Sequence, residues 1–206
     1  MTTSLSGATV LITGGSSGLG RALAERYVAC GAKVYVTSRT SASSSAPQDS
    51  ITTIQSDISS ASDRESLARY VRQNLPLLNI LVNNAGFART VPLAKDTDTP
   101  WSERQLEIDT DLAGPVHLTS MLVPLMLAHK QPGMVINVTS GVAFFPMPSA
   151  PMYSAVKHAF RAYTMTLRHA LADTTLDVIE IIPPLIKTGL AGSDDGLPLD
   201  EFVEAI

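Results

Sequence analysis

Ser140, Tyr153 and Lys157 are the residues whose types and spacing could do chemistry. Tyr153 and Lys157 stand four apart at the start of a helical pattern, which puts a phenol and an ammonium on one face, one turn apart. Ser140 closes the apolar run 134–138, which reads as a buried strand. A helix following that strand can bring the serine hydroxyl towards the phenol. An ammonium so close favours the phenolate, so the phenol can give a proton to a carbonyl oxygen or take one from an alcohol. By itself a Tyr-x-x-x-Lys pair is equally an exposed helical pair, so the motif gains meaning only from the elements that position it.

The first of these is at the N-terminus. Residues 8–12 form a short apolar run that fits a buried parallel strand. Thr13-Gly14-Gly15-Ser16-Ser17-Gly18-Leu19-Gly20 follows at once, and residues 21–28 have helical composition. Strand, glycine turn and helix come in the order a dinucleotide site needs. Gly14, Gly18 and Gly20 allow a sharp turn and close approach of phosphate oxygens, and the helix N-terminus offers free amides. Their wider Gly-x-x-x-Gly-x-Gly spacing differs from the tighter dinucleotide fingerprint.

A second strand is expected over 33–37. Where an acidic residue would hold the ribose hydroxyls of NAD, the chain has Ser38 and Arg39. An arginine there attracts the additional phosphate of NADP with a planar fork, whereas a carboxylate would repel it. Residues 40–50 read as a serine-rich loop, 51–55 as a third strand, and 62–75 as an amphipathic helix with Leu67, Val71 and Leu75 inward. A fourth strand, 79–82, leads into Asn83-Asn84-Ala85-Gly86.

These motifs stand together in the order, and close to the spacings, of the tyrosine-dependent short-chain dehydrogenase/reductase family, which the chain resembles over about residues 8–190. The resemblance implies a single α/β domain: a doubly wound parallel sheet with helices on both faces (a Rossmann fold), the family's C-terminal strand being absent or outside the chain. It implies hydride transfer with a nicotinamide cofactor held by Gly14, Ser16, Ser17, Gly18, Leu19 and Gly20. Asp57 should meet the adenine. Asn83, Ala85 and Gly86 should line the cofactor and brace the sheet, and Leu185, Ile186 and Thr188 should approach the carboxamide. Ser140, Tyr153 and Lys157 would be the catalytic group, with Tyr153 and Lys157 also on the cofactor.

The chain departs from the family in two places. A helix over 101–129, bent near Gly114-Pro115, carries Asp111 where members usually have an asparagine that bonds a water on the proton relay. After the sixth strand, 177–182, the family commonly has Pro-Gly; here Pro183-Pro184 removes a backbone donor and stiffens the loop. Residues 189–200 read as a flap over the substrate, ahead of a short helical stretch, 201–206.

Composition narrows the class. With 206 residues, 45% hydrophobic and 17% charged, the chain can bury one sizeable core. A formal charge of −4 offers no basic face to nucleic acid. One cysteine, Cys30, excludes a disulfide framework and reads as a small core residue, and the four histidines form no ligand cluster, so no metal is expected. The polar first residues and the lack of any run of about 18 apolar residues point to a cytoplasmic protein without a membrane segment. The expectation is an NADP-dependent carbonyl reductase or alcohol dehydrogenase acting on a small molecule, as a homodimer or homotetramer. The alternative is a cofactor-binding regulator of the same fold whose chemistry has decayed.

Overall fold

The computed structural model describes residues 5–40, 50–91, 93–187 and 196–206. Six parallel strands form one sheet: β1 Thr9–Ile12, β2 Lys33–Ser38, β3 Ile51–Gln55, β4 Leu78–Asn83, β5 Gly133–Val138 and β6 Leu176–Ile181. Their order is β3-β2-β1-β4-β5-β6, so the chain reverses its direction of winding beside β1. The crossovers are α1 Gly18–Ala29, α2 Ala61–Asn74, α4 Gly114–Ala128 and α5 Pro151–Ala170, with α3 Trp101–Ile108 leading into α4 and a short α6, Leu199–Glu204, at the end. Strands buried on both faces need apolar residues at successive positions. Val10, Leu11 and Ile12 show why: none is exposed, Leu11 facing one core and Val10 and Ile12 the other. Burying each such side chain contributes roughly 1.5–3 kcal/mol.

Leu67 and Val71 of α2 and Leu118, Leu122 and Met126 of α4 cover one face, with Leu171 just past α5. Leu23 and Ala24 of α1 cover the other. The expected inward stripe of α2 is therefore present, and Leu75 completes it. The run Trp101–Ala128 is apolar enough, and long enough, to span a membrane, and Leu118, Leu122 and Met126 on it go into this core.

That run is irregular one turn earlier than Gly114-Pro115. Asp109–Ala113 forms a π-helical turn, and the Gly114 amide donates to the carbonyl of Asp109, five residues back. Pro115, which has no amide, follows directly, so the helix widens where regular bonding must lapse. A side chain at Gly114 would lie 2.7 Å from the Ile58 carbonyl oxygen, so only glycine lets the helix sit this close to the loop after β3.

No seventh strand occurs among the described residues, and β6 is an edge. Residues 196–206 are tied down: the Leu197 amide donates to the Leu185 carbonyl (2.9 Å), the Lys187 amide to that of Leu197 (3.0 Å), and α6 packs on α1 with Phe202 and Val203 buried. Thr188 and residues 189–195 of the expected flap lie outside the described residues, as does most of the serine-rich loop.

Candidate active site

The C-terminal ends of β1 and β4 flank the switch in winding, where open α/β sheets bind ligands. The glycine turn after β1 and the Asn83–Gly86 turn after β4 meet there. Thr13 Oγ1 accepts the amides of Asn84 (3.0 Å) and Ala85 (3.1 Å), and Asn84 Nδ2 donates to the carbonyls of Thr13 (2.9 Å) and Gly14 (3.2 Å). Gly14 has φ +64°, and a Cβ on it would lie 2.9 Å from Ala85 Cα; one on Gly20 would lie 2.4 Å from Asn84 Nδ2. These glycines therefore let two turns touch as well as leaving room for phosphate. Ser17, extended, precedes α1 without a side-chain cap, and Ser16 and Ser17 are exposed, so the amide end of the helix is open to an anion.

The Asn83 side chain is buried. Its Nδ2 donates to Asn137 Oδ1 (2.8 Å) and Thr119 Oγ1 (2.9 Å), and Asn137 donates to Thr164 Oγ1 (2.9 Å). This buried ladder ties β4 and β5 to α4 and α5, which is the brace expected of it. Arg39 is exposed just after β2. Asp57 Oδ1 accepts the amide and hydroxyl of Ser59 (2.9 and 2.7 Å), which fixes the loop after β3. Leu185 is exposed, and Ile186 is buried and bridged to Leu197.

Ser140 follows β5 by two residues and caps the 3-10 turn Gly141–Ala143, its Oγ accepting the Val142 amide (3.3 Å). Tyr153 and Lys157 sit on the first turns of α5 and are 7% and 4% exposed. Lys157 Nζ lies 5.6 Å from the Tyr153 ring centroid and donates to the Val138 carbonyl at 3.2 Å. Nζ also lies 5.8 Å from the Phe160 ring centroid and 3.1 Å from Asp111 Oδ1, the latter an ion pair by distance though not aligned as a hydrogen bond. Asp111 is fully buried on the π turn, and its Oδ2 accepts the Phe87 amide at 3.2 Å.

Burial alone would pull the Lys157 ammonium down, but Asp111 and Tyr153 together more than reverse this and hold it above its usual range. Burial also pushes the Asp111 carboxyl up, against the pull of Lys157 and of the Phe87 amide. These two tendencies compete for one proton. The contacts decide for the ion pair, since both neighbours of the carboxyl group are donors.

Two participants escaped the sequence reading. Thr13 looked like part of a glycine turn, yet it clasps both loops. Glu107, one turn before Asp111, is 2% exposed, and its Oε1 accepts the Arg89 amide at 3.4 Å. The only sequence signal for it was a carboxylate four residues before Asp111. Among the described residues no group of three or more His, Cys, Asp or Glu could hold a metal.

The sheet order, the paired glycine turns and the buried Tyr153–Lys157 pair define a dinucleotide-binding oxidoreductase fold. The family model for short chain dehydrogenases matches residues 8–195, and the chain belongs to the short-chain dehydrogenase/reductase family. It is 39% identical over 186 residues to the uncharacterized oxidoreductase DltE of Bacillus subtilis, covering 88% of this chain and 73% of that one. It is 29% identical to a 3-oxoacyl-[acyl-carrier-protein] reductase of Synechocystis, over 98% of this chain and 83% of that one. Among solved structures it resembles a 3-ketoacyl-(acyl-carrier-protein) reductase of Brucella melitensis complexed with NADH, with TM-score 0.87, 28% identity and coverage of 98% and 90%. A short chain dehydrogenase of Burkholderia cenocepacia in complex with NADP gives TM-score 0.82 and 26% identity, covering 98% of this chain and 84% of that one.

Proposed function

We propose that the chain is an NADPH-dependent carbonyl reductase in which Tyr153 supplies the proton. The observation that carries this reading is the buried Lys157 ammonium 5.6 Å from the Tyr153 ring, at the ligand-binding end of the sheet. The residues fit a nicotinamide dinucleotide: the Gly14–Gly20 turn and the uncapped end of α1 suit the pyrophosphate, Arg39 the 2′-phosphate, and Asp57 the adenine. Ser16, Ser17, Leu19, Ala85, Gly86, Leu185, Ile186 and Thr188 complete the cofactor set. The bound cofactor supplies the hydride.

The chain's own residues do the rest. Ser140 orients the carbonyl oxygen by a hydrogen bond and helps hold its developing negative charge. Tyr153 gives that oxygen a proton. Lys157 stabilises the phenolate left behind and holds the nicotinamide ribose. Phe144, Phe145 and Met147, all exposed beside Ser140, form an apolar wall for the rest of a small carbonyl compound. The names of the Synechocystis and Brucella proteins, both reductases of a ketone group, support the reductive direction. We place the protein in the cytoplasm as a homodimer or homotetramer, acting without nucleic acid or membrane.

One observation favours the regulator reading: Asp111 already engages Lys157, the ammonium that catalysis requires. NADPH oxidation against a panel of ketones and aldehydes, with cofactor binding measured alongside, separates the two. Turnover supports the reductase; tight binding of NADPH with no turnover of any compound supports the regulator.

A further inference from the structure

Arg64 is a buried cation that the proposed chemistry leaves without work. It stands on the first turn of α2, and among the described residues no carboxylate pairs with it. Two neutral acceptors hold it. Its Nη1 donates to the Ile58 carbonyl at 2.6 Å, and its Nε donates to His117 Nδ1, on α4, at 3.1 Å. A guanidinium only donates, so His117 must offer a bare Nδ1. The ring is then neutral, with its hydrogen on Nε2.

The Ile58 carbonyl belongs to the loop that carries Asp57. The Ser56 amide donates to the Ser38 carbonyl (2.9 Å), the Asp57 amide to Asp63 Oδ2 (2.9 Å), and the Ser60 amide to the Asp57 carbonyl (3.1 Å). Ile58 is itself buried with Leu67 and Leu118, under Gly114 of α4. Arg64 ties this loop to α4 through its two hydrogen bonds.

Protonation of His117 removes the tie. The new Nδ1–H faces the Arg64 Nε–H, and two cations meet. Whether the imidazolium stays or swings out, Arg64 Nε is left buried without an acceptor, at the cost of a charged hydrogen bond. The acids of the surrounding elements are engaged elsewhere. On α2, Asp63 holds the Asp57 amide and the Ser60 hydroxyl, and Glu65 is exposed. On the loop, Asp57 accepts from Ser59; on the π turn, Asp109 accepts from Gln105 and Asp111 pairs with Lys157. A guanidinium drawn out towards water releases the Ile58 carbonyl, and Asp57 loses its fixed place.

We propose that His117, acting through Arg64, positions the loop that meets the adenine and so couples cofactor binding to pH: the dinucleotide is held while the ring is neutral and loosened when it is protonated. This rests on the reading of the chain as a nicotinamide-dinucleotide enzyme in which Asp57 meets the adenine. His117 is a positioning residue, since it acts on the cofactor only through Arg64 and the loop. Affinity is full above the titration of His117 and falls as the pH drops through it, within the window of about pH 8 to about pH 5 where histidines change charge.

Binding of NADP, whose oxidised form withstands acid, tests this. Between about pH 7.5 and about pH 5.5, wild type should lose roughly tenfold in affinity beyond any loss in His117→Asn, whose Oδ1 accepts from Arg64 at both. NAD should show the same difference between the two chains, which sets titration of the 2′-phosphate aside. His117→Leu has no acceptor and should bind NADP roughly tenfold more weakly than wild type at about pH 7.5, with His117→Asn close to wild type there. Equal losses on acidification in wild type and His117→Asn overturn the proposal, as does full affinity in His117→Leu at about pH 7.5. A second measurement needs no cofactor. Nitrogen NMR at about pH 7.5 should show the His117 ring, identified by its loss in His117→Asn, with a bare Nδ1 and a hydrogen on Nε2. A hydrogen on Nδ1 overturns the proposal whatever the binding. A wild-type chain that shows the bare Nδ1 but binds neither NADP nor NAD at either pH overturns the dinucleotide reading, and the coupling to pH along with it.

Discussion

Lys157 Nζ and Asp111 Oδ1 are 3.1 Å apart, with both side chains buried. The contact joins α5 to the π turn between α3 and α4, and so places a negative charge behind the ammonium that faces Tyr153. A carboxylate only accepts hydrogen bonds, whereas the amide usual at this position also donates. Under the proposed reductase reading, the pair is expected to weaken the positive field at Tyr153 and to suit reduction better than alcohol oxidation at neutral pH.

Replacing Asp111 by asparagine should reverse this bias. The carboxylate, with Tyr153, helps hold the Lys157 ammonium above its usual range against burial, and it offsets the ammonium's field, so its removal should leave the phenolate easier to form. Alcohol oxidation needs the phenolate, so in Asp111→Asn its rate should rise near pH 7 and its pH profile should move to lower pH. Removing one partner of a buried ion pair should also cost about 3–5 kcal/mol of stability, less whatever the new amide recovers by hydrogen bonding. An unmoved profile with cofactor binding intact places Asp111 outside the proton path.

Tyr153→Phe removes one hydroxyl and leaves the packing of α5. Turnover should fall at least about 10²-fold while NADPH affinity changes little. Unchanged turnover in the folded variant sinks the assignment of Tyr153 as proton donor.

Arg39 is exposed after β2 and available to a 2′-phosphate. In Arg39→Ala, NADPH binding should weaken by roughly tenfold to a hundredfold, the range of a charged hydrogen bond, with NADH binding almost unaffected. Equal losses for the two cofactors would show that Arg39 does not read the phosphate.

Gly86 has no room for a side chain: a Cβ there would lie 2.5 Å from Asp111 Oδ1 and 3.4 Å from Lys157 Nζ. Gly86→Ala should therefore push the two charges apart and lower kcat more than it weakens NADPH binding. Wild-type kcat in this variant would mean that the ion pair can shift without consequence.

The helical runs Trp101–Ala128 and Pro151–Ala170 should build a two-fold interface between copies. Light scattering at micromolar concentration is expected to give a dimer or tetramer mass. A monomer mass alone removes this expectation.

Much of this protein could be read along the chain. Apolar runs at 8–12, 33–37, 79–82 and 134–138 mark strands because a parallel sheet covered on both faces asks for apolar residues at every position. The Thr13–Gly20 turn and the Tyr153–Lys157 spacing were equally visible, because they depend on one turn of glycines and one turn of helix. The position of Asp111, three residues before Gly114, was visible too.

What Asp111 touches was decided by tertiary structure alone. Local spacing does not say that a π turn brings its carboxylate to an ammonium 46 residues further along the chain, under a loop from a third element. Nor does it say that Asn83 is turned inward to Asn137 or that Glu107 is sealed from water. A polar side chain has the same local sequence pattern whether it meets solvent or a buried partner. Burial and charge pairing arise only when elements distant in sequence pack together, and those two quantities set the protonation of this site.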